Sequence, residues 1–435
     1  MRSSFALGTS DVTASLWAGN APPAEYPCLE GETEAAITVV GAGHMGASLT
    51  QHLAQLGTDV ALLEAREPGW GASGRHAGHV VPQWQTQHAA HAAFGERAER
   101  VLALHAASGD LVYHLAKTHA IECDALQAGH LTLAHSERAI ARVERLVREL
   151  SDLGAPVELL GRERTREMVG SSRYFAAALN RSGGRINPLA FVRGIVRAGA
   201  LAGARVHTRS PVCAIERVGD RWRCRTPRGS VTSSWLVVCT NGYTGSTFPW
   251  LSKAYRPVVG CGLALSPLPK VLRAGVLPSG AVMMETSVGF HPTLIDGAGR
   301  LVAAVAPRPL RPGRSQSAAR EFRRWLRRTF PQLQSAPLEV DAFWSGVMAW
   351  SSDRMPRVFM PEPGLLAPMC FSGRGAALAT GLGKQLAEAL HRDDLDHLAI
   401  AVSQPRPLLA PRAMDLIVRN VALPALRLAE RVGLV

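Results

Sequence analysis

Gly41, Gly43 and Gly46 stand in the spacing G-x-G-x-x-G, between a short apolar run and a helical one. That spacing suits a dinucleotide. The first glycine permits a tight turn, the second lets backbone approach a pyrophosphate, and the third lets helix and strand pack closely. Ala42, His44 and Met45 place their amides at the helix N-terminus, where unpaired N–H groups and the helix dipole favour negative charge. Glu64 follows about 20 residues on, where folds of this kind bind ribose hydroxyls. An acid there argues against a ribose 2′-phosphate, and so against NADP. A second run, residues 69–78, holds Gly71, Ala72, Ser73, Gly74, Arg75 and His76. So many small residues imply backbone packed against a ligand rather than a strand. Near the other end of the chain, Ser372-Gly373-Arg374-Gly375 opens another helix after an apolar run.

These residues need strands and helices to hold them. Residues 37–40 read as a buried parallel strand, 47–56 as a helix and 59–63 as the next strand. Helical patterns cover 89–120 and 137–153, with a strand at 130–134 between them. Asn187 is a good N-cap and Pro188 a good first residue for a helix over 189–201. Short strands are expected at 204–207, 212–217 and 222–226. A buried strand at 235–239 leads into Thr240-Asn241-Gly242. Residues 256–350 read as β-rich, with one helix over 318–328. A strand at 365–371 and a helix to residue 390 close the pattern. The chain after Pro405 is proline-rich, then apolar with spaced arginines from Met414 to Val432. Packing on its own domain is the expectation there; the alternative is an amphipathic tail giving peripheral membrane contact.

Hydrophobic residues make up 47% of the 435, and charged residues 19%, which excludes a disordered chain. Net charge is +13, carried almost wholly by arginine. The arginines are spread out, so the charge does not argue for nucleic acid. One dense cluster, Arg320, Arg323, Arg324, Arg327 and Arg328, has the spacing of a solvated helix face. The seven cysteines are scattered and include no C-x-x-C, which fits reduced thiols in a cytoplasmic enzyme. No apolar span reaches the roughly 18 residues of a membrane helix, and no metal-ligand spacing is present.

In order, the stretches SLWAGNAPPAEYPCLEGE, VVGAGHMG, LLEAREPGWGASGRHAG, INPLAFVRGIVRAGALAGARVH, VVCTNGYT, WSGVMAWSSDRMP and FSGRGAALATGLGKQLAEAL span nearly the whole chain. The sequence resembles the FAD-dependent amine and amino-acid oxidoreductases of the D-amino-acid oxidase-like superfamily. Within that superfamily it is similar to gamma-glutamylputrescine oxidase-like proteins. The resemblance implies an α/β fold with a Rossmann-like FAD-binding domain and a second, β-rich, α+β substrate domain. It implies a discontinuous FAD domain over 35–86, 185–250 and 353–400, and a substrate domain over 87–184 and 251–352. An arm (1–34) and a tail (401–435) flank them.

It also implies roles. Gly41, Ala42, Gly43, His44, Met45 and Gly46 would hold the FAD pyrophosphate, and Glu64 the adenosine ribose, with Ala65 and Arg66 beside the adenine. Gly71, Ala72, Ser73, Gly74, Arg75 and His76 would line pyrophosphate and isoalloxazine. Val212 would meet the adenine by its backbone. Thr240, Asn241 and Gly242 would close over the cofactor, and Gly373, Arg374, Gly375 and Ala376 would reach the flavin's pyrimidine edge. His291 and Arg374 are the candidates for substrate-side or flavin-side charge. Relatives that oxidise sarcosine use a lysine where Ala377 stands, and Pro292 interrupts a stretch that is usually tyrosine-rich. Some relatives tether FAD through a histidine near the place of His76; here a hydrogen-bonded histidine is expected instead. Val347 stands near the place of a flavin-linking cysteine in others, so no thioether is expected. The implied reaction transfers a hydride from a small amine or amino acid to flavin N5, and the resulting imine hydrolyses. Oxygen or another acceptor would then take the electrons. The alternatives are a dehydrogenase serving a quinone or protein, and a non-catalytic FAD-binding protein.

Overall fold

A computed structural model describes residues 15–83, 87–245, 247–289, 291–305, 315–408 and 425. The arginine-spaced segment from Met414 to Val432 therefore lies almost wholly outside the described residues. Two large sheets organise the rest.

The first sheet runs in the spatial order Val402–Ser403, Arg357–Glu362, Leu365–Met369, Gly229–Val238, Gly31–Val40, Val60–Leu63, Arg205–His207. Its centre is parallel: Ile37 pairs with both Trp235 and Val60, and Leu236 pairs with Leu365. A parallel centre is buried on both faces, so its strands are apolar at nearly every position, Thr38 being the exception among residues 37–40 of the central one. Val39 and Leu62 face one core with the helices His44–Gln55, Pro188–Leu201 and Gly375–His391; Val40 and Leu63 face another. These helices cross closely. A Cβ on Gly383 would lie 2.8 Å from the Ser48 side chain, and Ser48 Oγ donates to Thr380 O at 2.7 Å. The Pro188–Leu201 helix is capped as its sequence requires: Asn187 Oδ1 accepts from the amides of Leu189 and Ala190, each at 3.1 Å.

The second sheet has the order Val340–Trp350, Arg256–Leu265, Leu301–Val305, Thr293–Ile295, Val282–Glu285, His130–Leu133, Ala177–Asn180, Val157–Leu160. Its two faces differ. Leu131, Met283, Ala303 and Leu263 point to a core filled by Phe322, Trp325 and Leu326 of the Ser315–Thr329 helix. Val282, Val302, Ala264 and Trp344 point the other way, toward the first sheet. The arginines Arg320, Arg324 and Arg328 on that helix are exposed, which is the solvated face its spacing predicts.

Two local expectations are corrected, and two elements went unread. The helix expected over 89–120 breaks into Gln87–Phe94 and Ala98–Thr118, because Gly95 takes φ +53°. The strand expected at 37–40 starts at Gly31, drawn out by parallel pairing to Gly229–Val238. The helix Arg162–Val169 and the strand Ala177–Asn180 carry too little apolar periodicity to be read from sequence. No helix among the described residues is long and apolar enough to cross a membrane.

Candidate active site

The first sheet's parallel strands end beside one another at Val40, Leu63, Val238 and Met369, and the glycine turns begin there. Ligands of open α/β sheets bind at such carboxyl ends. Gly41 takes φ +103°, and a Cβ on it would lie 3.1 Å from Cys239 O. A Cβ on Gly46 would lie 1.9 Å from Gly41 O, so only glycine lets the helix start this close to the strand. A Cβ on Gly43 would stand 2.8 Å from Ser73 Oγ, which itself accepts the His44 amide at 3.0 Å. The 69–78 run is thereby folded back onto the helix N-terminus.

Glu64 closes the other side of this cradle. Its carboxylate accepts the amides of Ala42 at 2.7 Å and Arg66 at 2.9 Å. Burial pushes its pKa up, against the amides of Ala42, Arg66 and Ala65, which hold it down. The chain after Arg205–His207 runs alongside: Ser210 N donates to Glu64 O and Arg209 N to Arg66 O. Val212 lies just beyond, half-buried.

His44 and His76 meet at 3.1 Å, Nε2 to Nε2. His76 Nδ1 accepts the Gly78 amide at 3.1 Å, so its Nε2 carries the proton and donates to His44. Burial lowers the His76 pKa to about 4; burial and His76 together lower that of His44. The pair is therefore neutral near pH 7.

The second sheet closes over these turns through its edge strand Val340–Trp350. Trp344 Nε1 donates to Arg75 O at 2.7 Å, and Tyr243 OH accepts the Val347 amide at 3.0 Å. Arg75 is buried, with Nε on Trp70 O at 2.7 Å and its guanidinium over the Trp70 ring. A Cβ on Gly346 would touch Arg75, and one on Gly242 would strike Val347 O at 2.5 Å. Asn241, at φ +43°, accepts the Cys370 amide through Oδ1 at 3.1 Å. The turn that follows is left-handed at Cys370, Ser372 and Gly373, then Arg374 N-caps the Gly375–His391 helix, whose first turn holds Ala376. Non-glycine residues in that region cost of order 1–3 kcal/mol each and cluster at ligand sites.

Where the glycine turns meet the second sheet, residues of both keep accessible surface, and this seam is the candidate cleft. Gly41, Gly43, Ser73, His76, Asn241 and Arg374 keep accessible surface on one wall, although the strands that end beside them are buried. On the other wall Gly260, Gly346 and Met348 are accessible, and strand pairing puts them on the face that carries Trp344. Cradle, acid and second wall fit a long dinucleotide such as FAD: the glycines leave room, and Glu64 keeps free lone pairs for hydroxyls. No group of three or more His, Cys, Asp or Glu among the described residues is placed to hold a metal.

The two residues expected to supply charge are not brought together. Arg374 is half-buried at the seam, with Gly373 beside Met348 and its charge reaching His105. His291 is instead on the far face of the second sheet. Its Nδ1 meets Glu285 Oε2 at 3.0 Å and its ring stacks on Trp325 at 4.7 Å. Glu285 lies in register with Leu133, which fixes that face as the one covered by the Ser315–Thr329 helix. This departs from the substrate-side position expected of His291. A buried carboxylate demands donors, and the turn ahead of Thr293 supplies one. Pro292 precedes the strand Thr293–Ile295 and so costs it no hydrogen bond.

Sequence reasoning did not single out Arg256, Trp350 or Arg354. Trp344, Gly346, Met348 and Trp350 alternate in WSGVMAW, which is the signal of one strand face. What Trp350 meets on that face depends on its pairing with Arg256.

Comparison with known proteins follows the same outline. Residues 36–389 match the DAO family model, described as FAD dependent oxidoreductase. The chain is 28% identical to gamma-glutamylputrescine oxidoreductase of Escherichia coli (strain K12), over 88% of this chain and 90% of that protein. It is 24% identical to glycine oxidase of Bacillus subtilis (strain 168), over 74% and 82% respectively. Among solved structures, L-proline dehydrogenase from P. horikoshii superposes with a TM-score of 0.71 at 18% identity, over 84% of this chain and 95% of that one. Iminodiacetate oxidase from Chelativorans sp. BNC1 gives 0.68 at 20% identity, over 85% and 100%. The likeness to solved structures establishes the fold, and the family match over most of the chain establishes more: this protein belongs to the DAO family of FAD-dependent oxidoreductases.

Proposed function

We propose that the protein oxidises the carbon–nitrogen bond of a small amine or amino acid, with FAD held in the cleft between the two sheets. The observation that carries this reading is the convergence of Gly41–Gly46, Ser73–His76, Thr240–Gly242 and Gly373–Ala376 on one side, facing Gly260, Gly346 and Met348, which bring no charge, on the other. The relatives named above, which act on amines or amino acids by their names, support it.

FAD, when bound, supplies the hydride acceptor for the C–H bond next to nitrogen. The chain's own part is binding and orientation. The amides at the start of the His44–Gln55 helix would hold the pyrophosphate. Glu64 would accept the ribose hydroxyls, with Val212 and Arg66 on the adenine side. The N-terminus of the Gly375–His391 helix and the Arg374 guanidinium would stabilise negative charge at the pyrimidine edge. Gly260, Gly346 and Met348 form a floor without polar side chains, which excludes water and favours an unprotonated amine. No side chain is required to take up the carbon-bound hydrogen as a proton, so an acid–base pair is not part of the site.

The test is an anaerobic absorbance titration of the purified holoenzyme with amines and amino acids. Loss of the oxidised-flavin bands with one compound is the expected result; admitting air then separates oxygen from another acceptor. A bound flavin that no compound reduces would refute the enzyme reading.

The attachment of FAD follows from His76. Both its ring nitrogens are engaged, by Gly78 N–H and by His44. The cofactor should therefore be released whole when the protein is denatured in acid. Yellow colour remaining in the washed precipitate would place a covalent bond here after all.

A further inference from the structure

Residues 15–30 precede the first sheet and form no strand; Leu16–Asn20 is one short turn of helix. Pro22, Pro23 and Pro27 lack the N–H that strand pairing needs. Donors from around the first sheet hold this arm instead. Thr208 N and Oγ1 donate to Pro27 O at 3.2 Å and Tyr26 O at 2.7 Å. Arg193 Nη1 donates to Ala21 O at 2.9 Å and Pro22 O at 3.0 Å. Asn187, whose Oδ1 caps the Pro188–Leu201 helix, gives its Nδ2 to Trp17 O at 3.2 Å and Asn20 O at 3.4 Å. The arm is thereby led to the point where it buries Trp17, 3% exposed.

Trp17 sits where the two sheets meet. Its Nε1 donates to His76 O at 2.8 Å, and its ring meets the Trp344 ring edge-on at 6.1 Å between centroids. Trp344 Nε1 donates to Arg75 O at 2.7 Å. One indole from the arm and one from the second sheet therefore hold the carbonyls of consecutive residues. A buried indole N–H is costly to leave unpaired, so each fixes the carbonyl it meets. The residue between these contacts carries the His76 ring, which is placed by Gly78 N–H and reaches His44, the first residue of the His44–Gln55 helix. Trp17 also packs on the turn that follows. Gly78 takes φ +82°, and a Cβ there would lie 3.1 Å from Trp17 Cη2 and 2.8 Å from Ile186 O. An unbroken series of contacts thus runs from the arm through the His76 peptide and ring to the start of the glycine cradle's helix.

We infer that Trp17 is a positioning residue for the cofactor: the arm holds one indole against the His76 carbonyl, and so keeps the His76–His44 pair in the arrangement that takes FAD. The inference rests on the proposed place of FAD beside these residues and goes beyond the reaction, since it holds for any substrate. Coupling of this kind is reciprocal, so an arm that favours FAD is itself held more firmly once FAD is bound.

The experiment measures FAD affinity and release rate in the full chain carrying Trp17→Phe, which keeps a buried ring and removes the indole N–H. Trp222→Phe is the control. Trp222 is 4% exposed and its Nε1 donates to Pro363 O at 3.1 Å, just before the strand Leu365–Met369 begins, at the end of the first sheet away from the glycine turns. Trp17→Phe should weaken FAD binding about tenfold and speed its release, whereas Trp222→Phe should cost stability and leave FAD affinity within about twofold. In the parent protein, hydrogen exchange of the amides in residues 15–22 should slow when FAD is loaded. A Trp17→Phe protein that holds FAD like the parent, an equal weakening by both variants, or arm exchange that FAD does not change would each overturn the inference. Gly43→Ala separates this from a failure of the placement. FAD weakened there but not by Trp17→Phe removes the arm's role alone; FAD unaffected by both removes the cofactor from this cleft.

Discussion

Replacing Gly46 with alanine should give a protein that has lost both FAD and part of its thermal stability. The added Cβ would lie 1.9 Å from Gly41 O and 3.1 Å from Gly41 C, with Cys239 Cβ at 3.3 Å. The first two of these atoms are backbone. Gly41 cannot yield easily, because its own amide donates to Leu63 O at 2.8 Å. The helix must instead draw back from the strand. That costs about 1–3 kcal/mol, as overpacking does. It also moves the amides proposed to hold the pyrophosphate, and FAD affinity should fall by roughly a hundredfold, about 2.7 kcal/mol. Gly43→Ala separates the two effects. There the added Cβ meets only the Ser73 side chain, which can rotate. Stability of the apoprotein should hold, while the room beside the phosphates is lost. The ratio of flavin to protein absorbance, FAD fluorescence titration and thermal melts of both apoproteins provide the readout. A Gly46→Ala protein that melts and binds FAD like the parent would remove the physical basis of the cradle.

That cradle was legible in the sequence because its logic is local. Strand, three glycines, helix and acid follow one another within one unit, and each residue's neighbours in space are its neighbours in the chain. The Asn187-Pro188 helix start is local in the same way. The rest of the site is not. Trp350 acquires its meaning from Arg256, which reaches it only through the pairing of two strands far apart in the chain. Arg75 was readable as a loop residue, but not as the tie to Trp344 and Ser345 that seats the second sheet on the first. Ala177–Asn180 failed for another reason: alanine and asparagine have weak strand propensity, and the neighbouring strands, not the segment itself, hold it extended. His291 shows the opposite error. A histidine on a strand next to a suspected substrate face looks chemical. The alternation of side chains, counted from Leu133 and Met283, puts Glu285 on the other face, and His291 joins it there from the turn ahead of Thr293.

Glu285 provides the test of that placement. Its carboxylate is buried, 1% exposed, and accepts Tyr174 OH at 2.7 Å, Trp325 Nε1 at 3.0 Å and Ser287 Oγ at 2.8 Å, with His291 Nδ1 at 3.0 Å. Arg173 stands at 3.5 Å. Burial pushes its pKa up, but the hydrogen bonds from His291, Tyr174 and Ser287 and the charge of His291 outweigh it and hold the pKa at about 2, against 4.5 for a free glutamate. A folded-state pKa below the unfolded one stabilises the fold above pH 4.5, and that stabilisation is lost as pH falls toward 2. It amounts to about 3 kcal/mol at neutral pH. Glu285→Ala, which strands the donors, should cost about 3–5 kcal/mol, and Glu285→Gln less, since the amide oxygen still accepts. In the Gln variant the acid limb of the stability curve between pH 4.5 and 2 should flatten, because the titrating group is gone. His291→Ala should cost about 1–2 kcal/mol, from one charged hydrogen bond and one ring stack. FAD content and kcat of His291→Ala should stay close to the parent, because the second sheet stands between this centre and the cleft. A hundredfold fall in kcat with an unchanged melting temperature would return His291 to the chemistry. A loss of stability with activity retained would fix it as the counter-charge of a buried carboxylate that holds the Ser315–Thr329 helix to the sheet.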